Sequence, residues 1–288
     1  MQIASLDSVF CQDARLAGLK AVHLAHARTL GFPVPDSVVV LCSAGEAVLK
    51  SAAHILASSG LQAARLTVME ADRSPFVTLT QAVAHMGEQL AVRASSPLPA
   101  NGGRLASYLG VSLTELPTAV LNVWKSALGA PATGQISERP YAALFGADID
   151  GPARQGDTSS DAPLIGVIVQ RDLQPAFRGS ASVIDGEVRI VAQIRQESGG
   201  QRGPTFRMRP AFSEQDEYVE GRAAANILGT DLVAEVRALA HGVCEALGDA
   251  HVDWAYADDE IWLLQSREQG PAATGTGQGG AAGQPGFS

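Results

Sequence analysis

Val252-Asp253-Trp254-Ala255-Tyr256-Ala257-Asp258-Asp259-Glu260-Ile261-Trp262-Leu263-Leu264-Gln265-Ser266-Arg267 is the stretch on which the fold turns. It reads as two strands, Val252 to Tyr256 and Glu260 to Ser266, joined by the acidic turn Asp258-Asp259. Side chains alternate along a strand, so Gln265 and Arg267 share one face, and Asp253 can lie opposite them across the pair. One hairpin thus offers a carboxylate, an amide and a guanidinium together.

Immediately upstream, Asp231 to Leu247 spaces Leu232, Val236, Leu239, Val243 and Leu247 as one buried helical stripe, with Asp231 as its cap and Gly248 as its stop. Before that helix come the apolar run Leu164 to Val169, the β-like Ser180 to Ile184, and Glu187 to Ile194, which alternates. The pair Asp185-Gly186 is a hairpin turn signal. Nearer the N-terminus, Ala14 to Leu30 has the helical period, Ser37 to Cys42 reads as a buried strand, Leu90 to Arg93 as a short strand and Leu113 to Leu128 as a helix. Ala94 to Leu109 reads as a loop, and Gly129 to Asp161 as a connection between lobes. Residues 270 to 288, rich in glycine and alanine, read as a disordered tail.

The 288 residues suffice for two lobes, and 46% hydrophobic against 18% charged residues places the chain in the globular range. A formal charge of -9 argues against a nucleic-acid binder, although basic residues lining a cleft can still hold a small nucleotide. Cys11, Cys42 and Cys244 lack metal-type spacing and read as reduced thiols. With no signal-peptide core and no apolar run long enough to cross a bilayer, the expectation is a cytoplasmic protein without membrane or nucleic-acid partners. His23, His26, His54, His85, His241 and His251 show no ligand pattern, and Trp124, Trp254 and Trp262 read as core.

Four separated segments carry a family resemblance. Gly18-Leu19-Lys20-Ala21 with Gly31-Phe32-Pro33-Val34-Pro35, then Val92-Arg93-Ala94-Ser95-Ser96, then Val167-Ile168-Val169-Gln170, and finally the closing hairpin resemble the nucleotide-binding domain of the phosphoenolpyruvate synthase and pyruvate phosphate dikinase family, also seen in rifampicin phosphotransferase. The resemblance spans residues 18 to 267. It implies an α+β, two-lobed ATP-grasp-like fold with a nucleotide cleft between lobes: residues 1–162 as the first lobe with its connecting segment, 163–269 as the second, and 270–288 as the tail.

The same resemblance implies that Lys20, Arg93 and Arg267 hold the phosphates of ATP, that Asp253 and Gln265 hold Mg2+, and that Gln170, Arg171, Asp172 and Leu173 border adenine. The residue types suit that work, because phosphoryl transfer needs fixed cations, a hard-oxygen metal site and exclusion of water. Departures occur. An acidic pair expected after the arginine-serine-serine motif is replaced by Pro97 to Ala100, Glu197-Ser198-Gly199-Gly200 is a weak substitute for a glycine-rich segment, and Asp253 stands where glutamate is usual. Asn101-Gly102-Gly103 is a candidate loop over the phosphates.

The family's carrier-histidine and acceptor domains have no counterpart in the segments matched. The expectation is the ATP-binding subunit of a split phosphotransferase, passing a phosphoryl group from Mg-ATP to a histidine on a separate partner. The alternatives are a standalone ATP-dependent kinase or ligase acting on a small molecule, and a degenerate nucleotide-binding module without turnover.

Overall fold

The computed structural model describes residues 1–97, 105–128, 165–194, 209–210 and 217–267. Two antiparallel sheets with helices packed on them give an α+β architecture. The first sheet runs in the order β1 (Ile3–Ser5), β2 (Ser37–Val40), β5 (Gly166–Arg171), β3 (Leu90–Ser95), β4 (Ser107–Val111) and β8 (Arg209–Pro210). The second runs β11 (Glu260–Arg267), β10 (His251–Ala257), β6 (Phe177–Ile184), β7 (Glu187–Ile194) and β9 (Glu217–Glu220).

The helices are α1 (Ala14–Ala17), α2 (Leu19–Thr29), α3 (Glu46–Met69), α4 (Phe76–Val83), α5 (Leu116–Ala127) and α6 (Gly221–Leu247). No helix among the described residues is long and apolar enough to cross a membrane.

Strand periodicity divides the core in two. Val38, Val40, Leu90, Val92, Val167 and Val169 turn one face of the first sheet toward α3, α4 and α5, where Phe76 and Trp124 meet at 6.0 Å between ring centroids. Val39 and Ile168 turn to the other face and join a core made with α2, α6 and the second sheet, including Leu24, Val236, Trp254 and Leu263. Each such apolar side chain contributes roughly 1.5–3 kcal/mol on burial. That gain lets the second face also carry four buried polar residues, Ser37, Arg93, Ser95 and Gln170. The second sheet is tied to the segments that lead into β2 and β6: Leu263 N–H donates to Pro33 O at 2.8 Å, and Ala176 N–H to Tyr256 O at 3.0 Å.

Both expected hairpins form. Their turns place Asp185 and Gly186 at φ 52° and 80°, and Asp258 and Asp259 at 54° and 58°, the left-handed pair that a two-residue turn requires. Other expectations are corrected. The helix read as Ala14 to Leu30 is two, because Gly18 breaks it with φ 81° and ψ 156°. The loop read as Ala94 to Leu109 ends early, since β4 begins at Ser107 and pairs with β3. The helix read from Asp231 is preceded by a further helical stretch from Gly221, and Gly229, non-helical at φ 78° and ψ 165°, separates the two, which leaves Asp231 in the first turn of the second rather than at its cap.

The division at 162/163 does not follow the sheets. β5 lies C-terminal to that point, yet it sits between β2 and β3 in the first sheet. The connection over 129–161, the Asn101-Gly102-Gly103 loop, the Glu197 to Gly200 segment and the 270–288 tail lie outside the described residues.

Candidate functional site

The start of α2 and the end of β3 are interlocked. Gly18 provides no side-chain cap, so the helix N-terminus is satisfied from the neighbouring strand: Ser95 Oγ accepts from Ala21 N–H at 3.1 Å, and Ser96 O accepts from Leu19 N–H at 2.8 Å. The approach is so close that a Cβ on Gly18 would lie 2.2 Å from Ser95 O. Lys20, in the first turn of α2, is thereby held beside Arg93, two residues before Ser95. Ser95→Ala is expected to cost about 1–2 kcal/mol in urea unfolding, because it removes the acceptor for a buried N–H.

The hairpin supplies the other side. Asp253 and Gln265 are direct cross-strand partners, as are His251 and Arg267. Val252, Trp254 and Leu263 turn into the core, so Asp253, Gln265, His251 and Arg267 occupy the opposite face. An irregularity between Asp253 and Trp254, where Leu264 is the extra residue, realigns the pairing beyond it.

Charge interactions locate these groups relative to one another. Burial, then the nearby Arg93, push the Lys20 ammonium down to about 8, with Asp253 raising it and Arg267 lowering it further. Burial likewise draws Arg93 down from its ordinary value, opposed by Asp253 and Asp172 and reinforced by Arg178. Side chains from α2, β3, β10 and β11 therefore lie within electrostatic reach of one another. Among the described residues, Lys20, Arg93, Arg178 and Arg267 and the carboxylates Asp172 and Asp253 act on one another through charge here. Arg93 is only 7% exposed, and its Nε has no hydrogen-bond partner among the described residues. A buried guanidinium in that condition carries a desolvation cost that an anion can relieve.

Of the residues expected to border adenine, Gln170 shares the face of Arg93: it lies opposite Ala91, and Arg93 lies opposite Ile168. It is 1% exposed, and neither amide atom has a partner among the described residues. Arg171 is directed elsewhere, its Nη2 donating to Asp258 Oδ2 at 2.8 Å on the exposed surface. Asp172 accepts from Gly110 N–H at 2.8 Å and contributes charge to the Arg93 site, and Leu173 is half-buried. Arg178 and His251 belong to this neighbourhood and escape sequence reading. Only the two-residue step from His251 to Asp253 on one strand hints at the last of them.

Among the described residues no three His, Cys, Asp or Glu side chains gather into a metal set. One carboxylate, Asp253, facing the amide of Gln265 is a donor pair suited to Mg2+, which takes one or two ligands from protein and keeps waters for the rest. It would not suit a softer ion that needs several nitrogen or sulfur donors.

No protein-family model and no curated protein matches the chain. Among solved structures, the chain is similar to a D-alanine–D-alanine ligase from Bacillus anthracis, at TM-score 0.40 and 13% identity over 91% of this chain and 57% of that one. It is also similar to the macrocyclase MdnC, solved with the precursor peptide MdnA from Microcystis aeruginosa, at TM-score 0.37 and 10% identity over 91% and 55%. A third is C-terminally truncated Cdc123 from Schizosaccharomyces pombe, at TM-score 0.39 and 12% identity over 90% and 89%. The chain thus spans a little over half the length of the first two.

Proposed function

We propose that the protein is a Mg-ATP-binding phosphotransferase of two-lobed, ATP-grasp-like type. Its phosphates would be held by Lys20, Arg93 and Arg267, and its metal by Asp253 and Gln265. The observation that carries this reading is the buried Nε of Arg93, without a partner among the described residues, beside the buried Lys20 on which Arg267 and Asp253 also act. Arginine forks match phosphate oxygens in pairs, whereas Lys20 acts as a compact charge, so the set suits a polyphosphate better than a single carboxylate ligand. Gln170, one strand over and also without a partner among the described residues, suits the polar edge of a base.

Bound Mg2+ would supply charge neutralisation between phosphate oxygens. The chain's own side chains orient the polyphosphate and exclude water around it. In the fuller form of the proposal, ATP, a histidine on a separate protein and one water give phosphohistidine, AMP and phosphate: both phosphoanhydride bonds break, with the histidine taking one phosphoryl group and the water the other. Incubating the full chain with labelled ATP, with and without such a partner, tests this: AMP formed only with the partner supports it. ADP or AMP formed with a small acceptor instead identifies a standalone kinase or ligase. Binding of ATP with no product in either arm identifies a third reading, retention of nucleotide without turnover.

Lys20 gives the site a pH signature. Below about 8 the free protein keeps the Lys20 proton; as pH rises through that value the free protein sheds it, whereas a bound polyanion would hold it in place. Affinity for ATP should therefore be full below that pH and fall about tenfold by about one unit above it. Calorimetry across this range checks the slope, which Lys20→Met should flatten.

A further inference from the structure

We propose that His251 is the positioning residue of this site, setting the Arg267 guanidinium toward the anion while leaving the Asp253 carboxylate open to a cation. This rests on the nucleotide reading above. The His251 ring has three polar neighbours: Nδ1 lies 2.8 Å from Ser182 Oγ, and Nε2 lies 3.0 Å from Arg267 Nη2 and 3.3 Å from Asp253 Oδ1. A guanidinium has no acceptor capacity, so Arg267 donates and Nε2 accepts. The ring proton then sits on Nδ1 and is donated to Ser182 Oγ, a tautomer assigned from these partners.

Two consequences follow. Arg267 is exposed and has many rotamers, and anchoring one of its nitrogens removes much of the ordering that an anion would otherwise impose on it. Because Nε2 is already accepting, it has no proton to give Asp253, and that carboxylate keeps its lone pairs for a cation. His251 and Arg267 face each other as cross-strand partners, and Ser182 faces His251 from the other side on β6, so three adjacent strands fix the arrangement.

The test is a double-mutant cycle on the full chain, with Mg-ATP affinity read by calorimetry. His251→Leu should weaken binding about tenfold, and the same change in an Arg267→Ala background should cost less than about twofold, because the effect passes through Arg267. His251→Gln, which returns an acceptor near the Nε2 position, should recover most of the affinity. Ser182→Ala, a milder change that frees the ring proton, should weaken binding about threefold and serves if the leucine variant does not fold. If wild type fails to bind Mg-ATP, the nucleotide reading itself fails. If wild type binds and His251→Leu binds equally well, or loses the same factor with and without Arg267, the positioning role is wrong.

Discussion

Arg93→Met is expected to lower Mg-ATP affinity by about 100-fold or more while leaving the fold as stable as wild type, or more stable by ~1 kcal/mol. The two effects have opposite signs for one reason. Arg93 is 7% exposed on a strand whose other residues are all buried, its Nε has no partner among the described residues, and burial disfavours its charge. Asp253 and Asp172 offset that cost only in part. Methionine fills similar space without a charge, so the free protein is relieved of the penalty. The anion, however, loses a forked donor in a site shielded from water, where charged hydrogen bonds are strongest. Urea unfolding read alongside calorimetric titration separates the two. Loss of stability together with loss of binding would make Arg93 a structural residue.

Gly18→Ala is expected to cost about 3 kcal/mol or more and to abolish anion binding along with it. The new methyl would lie 2.2 Å from Ser95 O and 2.3 Å from Ser95 Oγ, at a backbone position, φ 81° and ψ 156°, that is essentially restricted to glycine. Relief requires pulling α2 away from β3. That breaks the Leu19 and Ala21 hydrogen bonds and separates Lys20 from Arg93. Gly31→Ala is the matched comparison: φ is 86°, but nothing lies within 4 Å of the added carbon, so about 1 kcal/mol is expected. Denaturant melts of the two variants measure the difference, and equal costs would remove the interlock from the account.

How far the sequence speaks depends on whether a residue acts through its own strand or through a neighbour. The alternation that brings Gln265 and Arg267 to one face, and the turn residues at Asp185-Gly186 and Asp258-Asp259, are local, and they are visible in the string of letters. Gly18 is not, because the helical period runs through it from Leu16 to Leu30. Only the approach of Ser95, which is remote in sequence, gives the break its reason. β5 reads as a strand near its true position, but its place between β2 and β3 depends on pairing that periodicity does not encode. His251 shows no ligand spacing, and its value lies in Ser182 and Arg267 on the strands either side. Arg178 acts on a guanidinium on β3, and nothing in its own stretch of sequence marks it, whereas Asp172 is named by the resemblance for a different task, bordering adenine.

The most direct measurement is a calorimetric titration of the full chain with inorganic tripolyphosphate, ATP and AMP in the presence of Mg2+. Convergence of Lys20, Arg93 and Arg267 on a polyphosphate predicts that ATP and tripolyphosphate both bind, that AMP binds about 100-fold or more weakly, and that Arg93→Met removes the preference. Equal affinity for AMP and ATP, or no binding of tripolyphosphate, would contradict it.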